Sequence, residues 1–179
     1  MKLRWVPLLV GLALAAGTCA PVPGQEVPYV VTPDEVVHAM LELAAVGKDD
    51  VVYDLGSGDG RIVIAAARDF GARGVGIEID PRLVAESIYW ARRAGVTERV
   101  RFVQQDLFQT DLSAATVVTL FLSRELNARL RPKLLRELRP GARIVSHRFD
   151  LGDWRPDGQT RVEVGGVHYA VYFWVVPGS

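Results

Sequence analysis

The chain has 179 residues, and its 21 basic and 21 acidic side chains cancel to a formal net charge of zero. Nearly half of it is apolar and 23% is charged, a globular composition, and the single cysteine, Cys19, excludes both a disulfide framework and a cysteine-rich zinc site. A balanced charge without a basic block also argues against nucleic-acid binding, which requires cations along the phosphates.

The N-terminus runs Met1-Lys2-Leu3-Arg4, is apolar from Trp5 to Ala16, and leaves through small residues into Pro21-Val22-Pro23-Gly24. A short basic start, an apolar run below the roughly 20 residues a bilayer span needs, and a small-residue exit read as a signal peptide or short membrane anchor over residues 1–24. That address implies an exported protein, periplasmic or extracellular, or one tethered to a membrane; a start codon assigned too early would leave it cytoplasmic. Residues 25–179 are the length of one domain, with no repeat or low-complexity stretch, and a monomer is expected.

Thr32-Pro33-Asp34-Glu35 predicts a helix start, with a capping hydroxyl, Pro at the first helical position and acids in the first turn; Gly47 ends the helix. Asp50 to Leu55 is a buried-strand run, Gly56 to Gly60 a tight loop, and Ile62 to Phe70 a helix. A second strand covers Val75–Ile79, a helix follows from Pro81 to Ala94, and a third strand covers Val100–Gln104. Thr116–Leu122 is the fourth strand, Leu126–Leu138 a helix, and Ala142–Ser146 the fifth strand. Arg161–Val164 and Val167–Val176 flank Gly165-Gly166 as a two-residue hairpin. The alternation predicts an α/β, Rossmann-like fold: a mostly parallel twisted sheet with helices on both faces and an antiparallel C-terminal hairpin strand.

Asp54-Leu55-Gly56-Ser57-Gly58-Asp59-Gly60-Arg61 follows the first strand and opens a helix, so a ligand can approach the glycine backbone closely. Asp54 is a poor neighbour for pyrophosphate and a good one for an α-amino group. Glu78, at the end of the second strand, holds the ribose-hydroxyl position of a nucleotide-binding α/β fold, and Asp106 is placed to accept from an adenine amino group. No Gly-Lys-Ser/Thr follows the loop, which excludes a P-loop NTPase, and Arg61 and Asp54 disfavour a NAD(P) fingerprint.

These motifs resemble those of class I S-adenosylmethionine (SAM)-dependent methyltransferases. Adding Pro28-Tyr29-Val30, Asp106-Leu107, Lys133-Leu-Leu-Arg-Glu-Leu138, His147-Arg148-Phe149 and Trp154-x-Pro156-Asp157, the chain is similar from about Pro28 to Asp157 to one family. It is that of the mitochondrial protein-lysine methyltransferases that modify the ATP synthase c-subunit and the adenine nucleotide translocase. The resemblance implies that Gly56, Ser57 and Gly58 pass under the methionine and ribose of SAM, and that Asp54 meets its amino group. Glu78 would take the ribose, Asp106 and Leu107 the adenine, and Tyr29 and Thr32 would close over the methionine end. The chain departs from many amino-group methyltransferases at Leu122-Ser123-Arg124-Glu125, where the Asn/Asp-Pro-Pro-Tyr signature is absent.

Methyl transfer to lysine needs a neutral amine, which a dry aromatic slot promotes. Tyr29, Phe121, Phe149 and Trp154 are the candidate walls, Glu125 a candidate holder of the ammonium, and His147 a base should the acceptor be a hydroxyl. His38 and His168 are expected to be structural, Arg124 solvated, and Trp90 and Trp174 core or sheet-face aromatics. Asp111 and Glu125 form no compact acidic pair, so no metal is expected. The acceptor is expected to be a lysine of a protein, a membrane-associated one included, with a small molecule as the alternative acceptor and no nucleic acid. The chain itself would meet a membrane through its N-terminus. A non-catalytic SAM-binding module of the cell envelope is the rival from another class.

Overall fold

The computed structural model describes residues 29–178; the segment read as a signal or anchor, residues 1–24, lies outside them. The elements are α1 (Asp34–Leu43), β1 (Val51–Leu55), α2 (Arg61–Phe70), β2 (Arg73–Glu78), α3 (Pro81–Ala94), β3 (Val100–Gln104), a 3-10 turn (Leu107–Gln109), β4 (Val117–Leu120), α4 (Arg124–Glu137), β5 (Arg143–His147), β6 (Gly158–Val164) and β7 (Val167–Val175). They build one seven-stranded sheet in the order β3-β2-β1-β4-β5-β7-β6. The first five strands are parallel, and β7 inserts antiparallel between β5 and β6. The Gly165-Gly166 turn has φ of 58° and 79°, the left-handed pair that a two-residue hairpin demands.

The sheet divides the core. On one face Val36 and Met40 of α1 and Ile62 and Ala66 of α2 pack on Val52, Val117, Val145 and Val171, while α3 joins through Ala91 against Ile64 and Ala67. On the other, Leu126, Leu130 and Leu134 of α4 bury Leu55, Val118, Leu120 and Ile144. Among the described residues α4 is the one helix on that second face, because the crossover from β3 to β4 contains only the 3-10 turn. No described helix is long and apolar enough to cross a membrane.

Three local expectations are corrected. Pro33, not Thr32, is the N-cap of α1, and no side chain caps it, because the Thr32 hydroxyl is engaged elsewhere. Trp90 is neither core nor sheet-facing: it is 45% exposed on α3 beside Tyr89, with its indole N–H donating to Glu86 at 3.2 Å. Arg124 is exposed yet not merely solvated, since it pairs with Asp150 at 3.1 Å. Trp174, by contrast, is fully buried as expected. His38, on α1, meets Asp69 at 3.3 Å.

Candidate functional site

A cavity of about 280 Å³ opens at the carboxyl ends of β1, β2 and β4. Its floor is the loop after β1, where Gly56, Gly58 and Gly60 have φ of 84°, 53° and 80°. The amides of Gly56 and Ser57 both donate to the Ile77 carbonyl at 2.9 Å, curling the loop over the end of β2. Glycine is required at 58 on two counts: the left-handed φ, and a Cβ there would sit 2.5 Å from Cε2 of Tyr29.

The carboxylates are held in distinct ways. Glu78, 8% exposed, accepts from Gly58 N–H through Oε2 at 2.9 Å and from Ile79 and Asp80 N–H through Oε1 at 2.8 and 2.9 Å. It thus pins the glycine loop to the start of α3. Asp54, 2% exposed, accepts from the Thr119 hydroxyl at 2.6 Å. Burial pushes its carboxyl up to about 7, assisted by Glu78 and Asp59 and opposed by that hydroxyl. Asp106 is exposed at the rim, where it accepts from Phe108 N–H at 2.9 Å; Leu107 and Phe108 form the adjoining wall, and the Arg129 guanidinium lies 4.7 Å above the Phe108 ring.

Opposite, Tyr29 to Thr32 form a cover. The Tyr29 ring lies on Gly58, and its phenol is pushed up to about 12 by burial and then by the Asp59 carboxylate. Two groups hold Thr32, which is 3% exposed. Arg61 donates through Nη1 to the Thr32 carbonyl at 3.0 Å, while its Nε and Nη2 engage Asp59 at 3.0 and 2.6 Å. The Thr32 hydroxyl lies 3.2 Å from Nδ1 of His147, at the end of β5. The sequence pattern does not single out Asp59 and Arg61 as site residues. Their Asp-Gly-Arg spacing at a helix start is visible there, but the Thr32 carbonyl that Arg61 serves is 29 residues upstream.

The structure thus gathers Tyr29, Thr32, Asp54, Gly56, Ser57, Gly58, Glu78, Asp106 and Leu107 around one cavity, with Phe121, Leu122 and Leu126 closing its apolar side. It does not bring Glu125, His147, Phe149 or Trp154 to that lining. Glu125 is exposed on the first turn of α4, where its own backbone N–H and then Ser123 hold its carboxyl low. His147 sits behind the cavity, its ring 4.0 Å from that of Phe121 and 1% exposed. Burial first, and Arg148 next, lower it to about 4, so it is neutral at pH 7. Trp154 turns inward: its carbonyl accepts from the Trp174 indole at 2.8 Å and its ring packs 6.3 Å from that of Trp174. The Phe149 carbonyl accepts from the Ser146 hydroxyl at 2.6 Å and from the Asn127 amide at 3.1 Å. Among the described residues no three His, Cys, Asp or Glu side chains are grouped to hold a metal.

The model of the ANTKMT methyltransferase domain matches residues 54–158. A protein-lysine N-methyltransferase of Saccharolobus islandicus is 48% identical over 84% of this chain and 94% of its own length. The adenine nucleotide translocase lysine N-methyltransferase of Mus musculus is 38% identical over 80% of this chain, which spans only 64% of that protein. Among solved structures, an RNA methyltransferase from Salinibacter ruber in complex with S-adenosyl-L-homocysteine is 55% identical, with a TM-score of 0.78 over 84% of this chain and 95% of that one. The methyl donor of this chain is SAM. The cavity fits it: the Ser57 hydroxyl is buried without a partner at the floor, a buried carboxylate awaits an ammonium, and the walls are apolar on the side away from the acids.

Proposed function

The chain belongs to the ANTKMT methyltransferase family, and from that premise we propose that it methylates the ε-amino group of lysine in a protein acceptor. The observation that carries this reading is the 48% identity along 94% of an archaeal protein-lysine N-methyltransferase, a chain of nearly the same extent. In this reading Asp54 receives the amino group of the donor, Glu78 its ribose hydroxyls, and Asp106 with Leu107 its adenine. Gly56, Ser57 and Gly58 lie beneath it, and Tyr29 and Thr32 cover its methionine end.

The sulfonium of SAM supplies an activated methyl group, so no protein nucleophile is needed. What remains for the chain is to orient the acceptor, exclude water and admit the amine in its neutral form. Asp106, exposed on the cavity lining, favours a cationic side chain arriving, whereas Asp59 is buried and already paired with Arg61. Phe121, Leu122 and Leu126 then disfavour the ammonium once it is inside. Neither candidate base touches this space, because His147 lies behind Phe121 and Glu125 faces solvent. The proton therefore leaves to bulk water before the amine enters the slot.

The Salinibacter ruber relative is described as an RNA methyltransferase, which makes RNA the rival acceptor. Incubation with tritiated SAM and separate fractions of proteins, small metabolites and RNA distinguishes them, with label expected in protein lysine. Label confined to RNA or to metabolites overturns the lysine reading, and SAM binding with no label in any fraction favours a non-catalytic module. The N-terminal run Trp5–Ala16 supports an enzyme tethered to or exported across a membrane; fractionation and the intact mass of the native protein test that location.

A further inference from the structure

The face of the sheet that lacks a helix over β1–β3 carries a second recess, of about 460 Å³, at the amino ends of these strands. Register fixes what it presents. Val51 is opposite Arg73, Tyr53 opposite Val75, and Val75 opposite Arg101, so these five side chains share one face. Arg99 and Arg139 enter from the neighbouring loops. Four guanidiniums therefore surround an apolar floor, with Glu98 as the one carboxylate among the lining residues.

These arginines are not spent on internal pairing. Among the described residues none of Arg73, Arg99, Arg101 and Arg139 is ion-paired, although Arg61, Arg68, Arg82, Arg124, Arg131 and Arg143 all have carboxylate partners. All four are exposed, and Arg99 is oriented by its bond to the Gly71 carbonyl at 2.8 Å. In a chain of zero net charge, four unpaired cations around one recess are a local excess that attracts an anionic partner.

We infer that this recess is a docking site for an acidic segment of a protein, with carboxylate side chains on the arginines and apolar ones on the floor. It rests on the reading of the acceptor as a protein and names the surface that such an acceptor uses outside the cavity. Planar guanidiniums take carboxylates in paired hydrogen bonds, which suits side chains entering a recess. A nucleic acid is disfavoured on two counts. The ring in the floor, Tyr53, is only 5% exposed and offers no stacking face. A strand running on to the methyl-transfer cavity would also meet the exposed Asp106 at its lining. The five residues of β1 separate the two sites by roughly 17 Å at ~3.3 Å per residue, so one acceptor protein spans both.

The test uses the whole chain and an R99E/R101E variant, with R92E/R93E on the exposed side of α3 as the control. The probe is a labelled hexaglutamate peptide at low salt, beside an oligouridine and phosphatidylserine vesicles. The peptide is expected to bind, to weaken by about tenfold or more in R99E/R101E, and to be unchanged in R92E/R93E, with SAM affinity equal in all three proteins. A milder R73Q/R139Q variant is expected to weaken it in the same direction. Equal peptide binding by every variant, or none by the parent, overturns the site; binding of the oligouridine or vesicles in place of the peptide overturns its assignment to protein. These arms need no methyl transfer, so they stand apart from the lysine reading. Where an acidic protein acceptor is methylated, R99E/R101E is expected to raise its KM and leave kcat and transfer to a short lysine peptide unchanged.

Discussion

Glu78 shows how a single side chain carries both a fold and a site. Its two oxygens take three backbone N–H groups, from Gly58, Ile79 and Asp80, in a place only 8% exposed. Hydrogen bonds to a charged acceptor contribute about 1.5–3 kcal/mol each, and an orphaned buried donor costs a similar amount. Glu78→Ala is therefore expected to lower stability by a few kcal/mol and to weaken SAM binding by roughly 10- to 100-fold. Glu78→Gln keeps an acceptor oxygen and should lie between, with denaturant titration and calorimetry reading the two effects separately. Unchanged SAM affinity in a folded Ala variant would remove Glu78 from the ribose site. Such residues are legible in the sequence because their work is local: Asp54, the glycines, Glu78 and Asp106 stand at the ends of strands whose direction the sequence pattern reveals. His147 is not, although it ends a strand that the pattern also reveals. Ser146 and His147 point to opposite faces, so Ser146 lies 3.2 Å from the Asn127 amide of α4 while His147 meets Thr32 before α1. Proximity to a strand end does not say on which side of Phe121 the ring falls.

At the scale of elements, the cover is the part that sequence spacing does not specify. Thr32 has the composition of a helix cap, but its hydroxyl is claimed by a histidine 115 residues away, a tertiary contact overriding a local preference. The 3-10 turn in place of a helix between β3 and β4 likewise leaves no strong periodic signal, and it is the cause of the open face. Arg61 and His147, from two different elements, anchor the Tyr29–Thr32 segment at Thr32. A chain beginning at Gln25 should bind SAM as well as a longer one, whereas a chain beginning at Pro33 should bind it more weakly. Thr32→Val leaves the His147 nitrogen without its partner and is expected to weaken binding several-fold, with Thr32→Ser restoring it. Equal SAM affinity in both truncated chains would show that the segment covers nothing.

Over the whole molecule, a net charge of zero hides a separation: carboxylates gather at one end of the parallel strands and unpaired arginines at the other. The acidic end makes the enzyme sensitive to pH in a defined direction. Asp54 is raised by burial from an ordinary 3.8 to about 7 in the free protein, so its contribution to stability is fully present below about pH 4 and is lost as pH rises through 7. The donor's ammonium needs the carboxylate, so below pH 7 the protein must release a proton to bind. Apparent SAM affinity is expected to fall by up to about tenfold per pH unit on the acid side, and to fall again where the donor's own ammonium, ordinarily near ~8, deprotonates. His147, neutral down to about 4, adds nothing in this window. Asp54→Asn, which keeps the contact with Thr119, should be more stable than the parent above pH 7, lose most SAM affinity and show no such slope. Turnover at saturating SAM should rise with pH as the acceptor amine, ordinarily near ~10.4, deprotonates. Calorimetry across the pH range from mildly acidic to mildly alkaline on both proteins reads the first effect and initial rates read the second. A parent whose SAM affinity is flat across that range, or an Asn variant that keeps the parent's slope, would show that Asp54 does not face the ammonium.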